Sequence, residues 1–201
     1  MNYKFSLANG STFDFELEKG DIVVDCGANI GIFTDLFQKL GAVVYAFEPN
    51  PYAFSVLNER FDKNNSVILK KQAVSTSKRK GIQKFFFHKE HEKNKIEYSQ
   101  GSSLLSEKPN VNEEDYVDVE VIDFSEFVNN LDGNIKILKI DIEGAEVELV
   151  HDLIDKNLIQ NIPYVFVETH DLKISDLREE TDRLRKRIKE NNLNNIRLDW
   201  I

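Results

Sequence analysis

The run Asp21-Ile22-Val23-Val24-Asp25-Cys26-Gly27-Ala28-Asn29-Ile30-Gly31 decides the fold. Ile22, Val23 and Val24 form a short apolar run rich in β-branched residues, which predicts a strand buried on both faces. A turn punctuated by Gly27 and Gly31 follows. Ile32, Phe33, Leu36, Phe37 and Leu40 then recur at helical spacing until Gly41 stops the helix. Val43-Val44-Tyr45-Ala46-Phe47 is a second strand, ended by Glu48-Pro49-Asn50-Pro51, and a helix over 52–61 leads to a third strand at Val67-Ile68-Leu69. Three strands alternating with two helices require parallel pairing through right-handed crossovers. The fold class is α/β, a doubly wound and mostly parallel sheet.

Before this run, residues 3–7 and 12–17 alternate polar and apolar around Asn9-Gly10, the signature of a β-hairpin that would serve as a lid or an edge. The chain therefore divides into a hairpin extension over 1–20 and a main domain over 21–201. After it, residues 76–115 show little periodicity. Phe85-Phe86-Phe87 is a strand candidate there, followed by a polar run with His88, His91 and Gly101-Ser102-Ser103. So long a segment is not an inert connection, and a hairpin with a partly mobile loop on the substrate side is expected. Strands are predicted over 117–121, 135–140, 164–167 and 196–201, with helices near 123–129, 144–156 and 175–190. The last helix places Asp176, Glu179 and Glu180 early and its basic residues late, in keeping with its dipole.

The composition of the 201 residues is that of a globular chain, with a formal net charge of −9. That charge repels phosphate backbones, so nucleic acid is not an expected partner. One cysteine, Cys26, allows no internal disulfide and no Cys-rich zinc pattern, and it reads as a small buried filler. No apolar run reaches membrane-spanning length and the first residues lack a signal-peptide pattern. A cytoplasmic protein without membrane association is expected, acting on a small molecule or glycan, with a homodimer left open.

Ligands of a doubly wound sheet bind beyond the carboxyl ends of its strands. The first such turn is Asp25-x-Gly27-x-Asn29-x-Gly31, and the next strand ends in Glu48, about twenty residues on, placed to accept from the two hydroxyls of a ribose. Asn29 stands where a dinucleotide site needs a glycine beside the pyrophosphate, and Asp25 would repel that group. A nucleoside carrying a sulfonium and an ammonium suits both residues, which favours S-adenosylmethionine over NAD.

Three segments taken in order resemble the FkbM family of methyltransferases: residues 23–31, Ala46-Phe47-Glu48-Pro49-Asn50-Pro51, and Leu138-Lys139-Ile140-Asp141-Ile142-Glu143-Gly144-Ala145-Glu146. The resemblance implies a Rossmann-like methyltransferase domain of the seven-stranded type and O-methyl transfer, often onto sugars. It also implies that Asp25, Gly27 and Asn29 line the methionine end, Glu48 the ribose and Ala73 the adenine side. Ala28, Gly31, Pro49, Asn50 and Asp141 complete the implied cofactor-binding set.

A hydroxyl acceptor must lose a proton, which calls for a base or a metal. Asp141 ends one strand two residues after Lys139, and Glu168 and His170 end the next in the same way. If those strands are neighbours, the groups converge. Asp141 or His170 is the expected base, with Glu168 and Lys139 beside them. Asp141, Glu168 and His170 could alternatively ligate Mg²⁺ or Ca²⁺. Lys139 reads alternatively as only an ion-pair partner of Asp141, and Glu143 as an acid at a helix start. His88 and His91 read as solvated loop residues, Tyr98, Ser102 and Ser103 as candidate substrate contacts, and Trp200 as packing. N- or carboxyl-methylation and a non-catalytic nucleoside-binding module are the other functional readings.

Overall fold

The computed structural model describes residues 1–200 apart from 7–9, 11, 172–173 and 175–176, and Phe5 by its backbone alone. The chain opens with β1 (Asn2–Ser6) and β2 (Thr12–Glu16), paired antiparallel as a two-stranded sheet. Of the expected Asn9-Gly10 turn, Asn9 lies outside the described residues, and Gly10 has φ 87°.

The main sheet begins with β3 (Ile22–Cys26). It continues through α1 (Ile32–Lys39), β4 (Val43–Phe47), α2 (Pro51–Phe61) and β5 (Val67–Lys70). A second group follows: β6 (Ala73–Ser75), β7 (Gly81–His88) and β8 (Val111–Asp123), with β8 between the other two, parallel to β6 and antiparallel to β7. The chain then returns through α3 (Phe124–Asn130), β9 (Ile135–Ile140), α4 (Glu146–Asp155), β10 (Tyr164–Val167), α5 (Arg178–Glu190) and β11 (Ile196–Arg197).

The main sheet has six strands, all parallel, in the order β11-β10-β9-β3-β4-β5. This is the expected doubly wound class, one strand short of the seven-stranded type among the described residues. The chain order reverses between β3 and β9, and that switch point is where such a sheet opens a crevice. The register there sets Asp25 beside Lys139, and Lys139 beside Phe166. Side chains alternate across a strand, so Asp25, Lys139, Asp141 and Glu168 share one face at the carboxyl end.

One face buries Val24, Leu138, Ile140 and Val165 against α4 and α5. The other buries Val23, Val44, Ile137 and Phe166 under α1 and the N-terminal hairpin, whose Phe13, Phe15 and Leu17 are fully enclosed. The hairpin is therefore neither lid nor edge. Among the described residues it pairs with no other strand, and its alternation exists because one of its faces is sheet core. Trp200 stacks on Phe166 at 5.1 Å and meets Phe13 at 5.0 Å, so the packing role expected for it stands. The last strand is correspondingly shorter than the expected 196–201, because the chain turns under the sheet to bury this indole.

Long-range docking also lengthens β8, which starts at Val111 and not near 117, since antiparallel pairing with β7 supplies order that its own pattern lacks. Helix α2 starts at Pro51, where Asn50 caps it by accepting from Tyr52 N at 3.0 Å. Helix α5 places Glu179 and Glu180 in its first turn and Arg187 and Lys189 in its last, while Asp176 lies outside the described residues. No helix among the described residues is long and apolar enough to cross a membrane.

Phe13 packs against Phe166 and Trp200 with no exposure, so Phe13→Ala should lose about 3–5 kcal/mol of stability in urea denaturation. A loss below about 1 kcal/mol would mean that the hairpin does not dock on the sheet.

Candidate active site

A cleft of about 600 Å³ opens beyond the carboxyl ends of β3, β4 and β9 and beside the start of β6. One wall is the turn after β3 together with Glu48, Pro49 and Ala73; the opposite wall is residues 99–102 with Lys108 and Asn110; Asp141, Glu143 and Glu168 lie at the strand ends between them.

Close packing fixes the turn. Gly27 has φ 79°, and a Cβ there would sit 1.8 Å from the Asp141 carbonyl oxygen, so only glycine lets the β3 turn lie against the end of β9. Gly27 and Ala28 both donate backbone N–H groups to the Phe47 carbonyl, which ties the turn to β4. Gly31 caps α1 with φ 84° and packs on Leu57 and Phe61, away from the cleft.

Glu48 is held from two sides. Its Oε2 accepts from Asn29 N at 2.8 Å and its Oε1 from Asn50 N at 2.7 Å. Burial pushes its carboxyl up to about 7, against the pull of the Asn50 and Asn29 amides. Each oxygen keeps a lone pair, so the group can still accept hydroxyl donors from a ligand.

At the centre lies Lys139, fully buried. Its Nζ is 3.2 Å from Asp25 Oδ1 and 3.4 Å from Asp141 Oδ2, and it donates to the Gly27 carbonyl at 2.8 Å. Burial opposes its charge, but Asp25 and Asp141 hold the ammonium well above the ordinary lysine range. Lys139 is thus a bridge between two carboxylates and a turn, a larger role than the single pair with Asp141. Asp25, fully buried, spends its other oxygen on Thr34 Oγ1 at 2.7 Å and does not reach the cleft.

Asp141 does reach it. Burial pushes its carboxyl up to about 6, with Lys139 pulling down and Glu168 and Glu143 pushing up. Raised in this way and still faced by the Lys139 ammonium, it is a better proton acceptor than an ordinary exposed carboxylate.

His170 behaves otherwise. Strands β9 and β10 are neighbours, and one ligand atom each from Asp141, Glu168 and His170 falls within 4.8 Å of the others. The imidazole, however, is fully buried, with Nε2 3.1 Å from Glu143 Oε2 and Nδ1 2.9 Å from Glu146 Oε1. Burial works against its charge, yet the two glutamates raise it to about 10. Both ring nitrogens face glutamates that favour the charged ring, which leaves His170 poorly placed to accept a proton as the base read from the sequence. Asp141, Glu168 and His170 still form a group that could hold a metal ion, as the alternative reading expected, with the Lys139 ammonium competing for Asp141.

The sequence profile of the methyltransferase FkbM domain matches residues 25–193. The chain belongs to the FkbM methyltransferase family. It is 27% identical over 159 residues to the hexuronic acid methyltransferase AglP of Haloferax volcanii, covering 77% of this chain and 58% of that protein. It is 26% identical over 155 residues to methyltransferase 1 of Beauveria bassiana, covering 70% and 62% respectively. The chain thus spans about three fifths of the length of these curated relatives. Among solved structures, the methyltransferase FkbM of Methylobacillus flagellatus is similar at 17% identity and a TM-score of 0.42, over 73% of this chain and 32% of that one.

Of the cofactor-binding residues implied for an FkbM methyltransferase, Gly27, Ala28, Asn29, Glu48, Pro49, Ala73 and Asp141 line the cleft. Asp25, Gly31 and Asn50 stand behind it as ion-pair partner, helix-capping glycine and helix-capping side chain. His88, read as solvated, lines the cleft, with Nδ1 accepting from Glu90 N and its ring stacked on Tyr98. His91, also read as solvated, is buried on Phe87 with Nε2 2.6 Å from Asp115. The wall of residues 99–102, Lys108 and Asn110 was legible only at Gly101-Ser102-Ser103; nothing local marks Lys108, which is 3% exposed. Cys26 is buried, and burial pushes its thiol well up, consistent with an inert filler.

The folded-state value for His170, about 10, exceeds the ordinary 6.5, so its charge stabilises fully below 6.5 and progressively less as pH rises towards 10. Denaturation of the unmodified chain and of His170→Gln across pH 6–10 should show the stability gap between them narrowing with pH; a constant gap would refute the protonated pair. Gly27→Ala should abolish ordered packing at the turn, seen as a large drop in melting temperature.

Proposed function

We propose that the cleft binds S-adenosylmethionine and that the protein transfers its methyl group to a hydroxyl of a sugar or a similar small polar acceptor. The observation that carries this reading is one cleft shared by three features: Glu48 at a strand end, the turn from Gly27 to Ile30 with Asn29 in place of a phosphate-cradling glycine, and the Asp141 carboxylate. Glu48 would hold the ribose hydroxyls, Asn29 the methionine end, and Ala73 the adenine side. When bound, the cofactor supplies a methyl already activated on a sulfonium.

The chain's own contribution is placement and proton handling. Lys139 fixes the orientation of Asp141 by an ion pair that leaves one of its oxygens open to the cleft. Asp141 then takes the proton from the acceptor hydroxyl as that oxygen becomes nucleophilic. Protonated His170 steadies Glu143 and Glu146 behind it and takes no proton itself. A polar wall bearing Ser99, Gln100, Ser102 and Asn110 suits a polyhydroxylated acceptor, and the relative named for hexuronic acid methylation supports a sugar.

Two variants test this. Asp141→Asn should lower turnover on a sugar acceptor by about 10²–10⁴-fold while S-adenosylhomocysteine still binds in calorimetry; near-normal turnover would remove Asp141 as base. In the unmodified chain, cofactor affinity should improve as pH rises through about 7, because hydroxyl donors prefer the ionised Glu48. Glu48→Gln should bind more weakly and lose that pH dependence, and an unchanged profile would place the ribose elsewhere.

A further inference from the structure

A closed ring of three polar contacts fixes the wall of the cleft opposite the glycine turn. Gly101 N–H donates to Glu143 Oε1 at 2.8 Å, and the Gly101 carbonyl accepts from Lys108 Nζ at 3.0 Å. Lys108 Nζ closes the ring on Glu143 Oε2. Both polar groups of one glycine residue are thus held by a single ion pair, and hydrogen bonds to charged groups are the strong ones.

The arrangement is costly, which argues that it has a use. Lys108 is buried, an uncommon place for an ammonium, and burial there needs a partner of opposite charge. Glu143 holds its carboxylate in place from a left-handed backbone with φ 61°, a conformation that a glutamate does not favour. His170 secures the same carboxylate at 3.1 Å, and Ser103 Oγ donates to the Glu143 carbonyl at 2.7 Å. Burial pushes the Glu143 carboxyl up, but His170 and Lys108 overcome this and hold it well below the ordinary carboxylate range.

The ends of the wall reach the residues that flank Glu48. Asn29 Nδ2 donates to Ser99 Oγ at 2.9 Å, and Asn50 Nδ2 to Ser102 Oγ at 3.4 Å. These are neutral contacts, individually weak. The charged ring therefore dominates how firmly 99–102 closes over the turn.

We propose that Glu143 and Lys108 are positioning residues: their ion pair seats residues 99–102 over the cofactor compartment and sets how tightly the cofactor is retained. This rests on the cleft being the cofactor site. Neither residue takes part in proton transfer. They act through the Gly101 backbone, and the wall that they hold also faces the acceptor.

Lys108→Met keeps an unbranched apolar stem, removes the ammonium and leaves Glu143 paired with His170. Glu143→Gln is close in shape and keeps an acceptor for Gly101 N–H. Both are made in the full chain and read in two ways. Amide hydrogen exchange should speed up over 99–102 and stay unchanged over 135–140. The dissociation constant for S-adenosylhomocysteine in calorimetry should rise by about tenfold or more with unchanged stoichiometry, a pattern that a general loss of fold would not give. Unchanged exchange over 99–102 overturns the proposal, and so does faster exchange with undiminished affinity. If the unmodified chain fails to bind S-adenosylhomocysteine, the cofactor reading itself falls and takes the proposal with it; intact binding there and in both variants overturns the proposal alone.

Discussion

The buried ammonium of Lys139 is the contact on which the site depends. It joins Asp25 on β3, Asp141 on β9 and the carbonyl of Gly27 in the turn between them. Taking one positive and two negative charges out of water is expensive, and it is tolerated only where the geometry lets each charge see its partner at close range. That requirement fixes the register of β3 against β9, because a slip of one residue would turn Lys139 to the opposite face. Through the same contact the switch point of the sheet, the glycine turn and the Asp141 carboxylate are tied into one unit.

A second buried charge lies one strand further on. His170 sits between Glu143 and Glu146, and Glu146 in turn accepts the backbone N–H groups of Ile142 and Gly144. The loop from β9 into α4 is thereby organised around acidic side chains that would repel one another without the imidazolium. Two cations thus do related work on neighbouring strands: Lys139 aims a carboxylate into the cleft, and His170 keeps two others at its margin.

The sequence exposes those parts of this arrangement that are local. A glycine turn after a β-branched run, and an acid at the end of the next strand, are short-range patterns with a direct physical meaning, and Gly27 and Glu48 stand where those patterns put them. Shared sides of neighbouring strands were also legible, which is why Asp141, Glu168 and His170 converge. Protonation was not, because it is decided by Glu143 and Glu146 in space. Asn50 appeared as a ligand residue from its motif, although its neighbour Pro51 marks a helix start that needs a cap. Residues 99–110 carry no periodicity, so their docking could not be read; it depends on Lys108 finding Glu143, a pairing between segments that no spacing rule connects.

The aromatic cluster beneath the sheet joins Phe13 near one end of the chain to Phe166 and Trp200 near the other. Contacts of such sequence separation are slow to form, because a long loop must close before they contribute anything. During synthesis, the hairpin aromatics and the apolar underside of β3 and β9 therefore wait uncovered until residue 200 has left the ribosome. Until then this face of the nascent chain is an uncovered apolar surface, the kind that invites association before folding is complete.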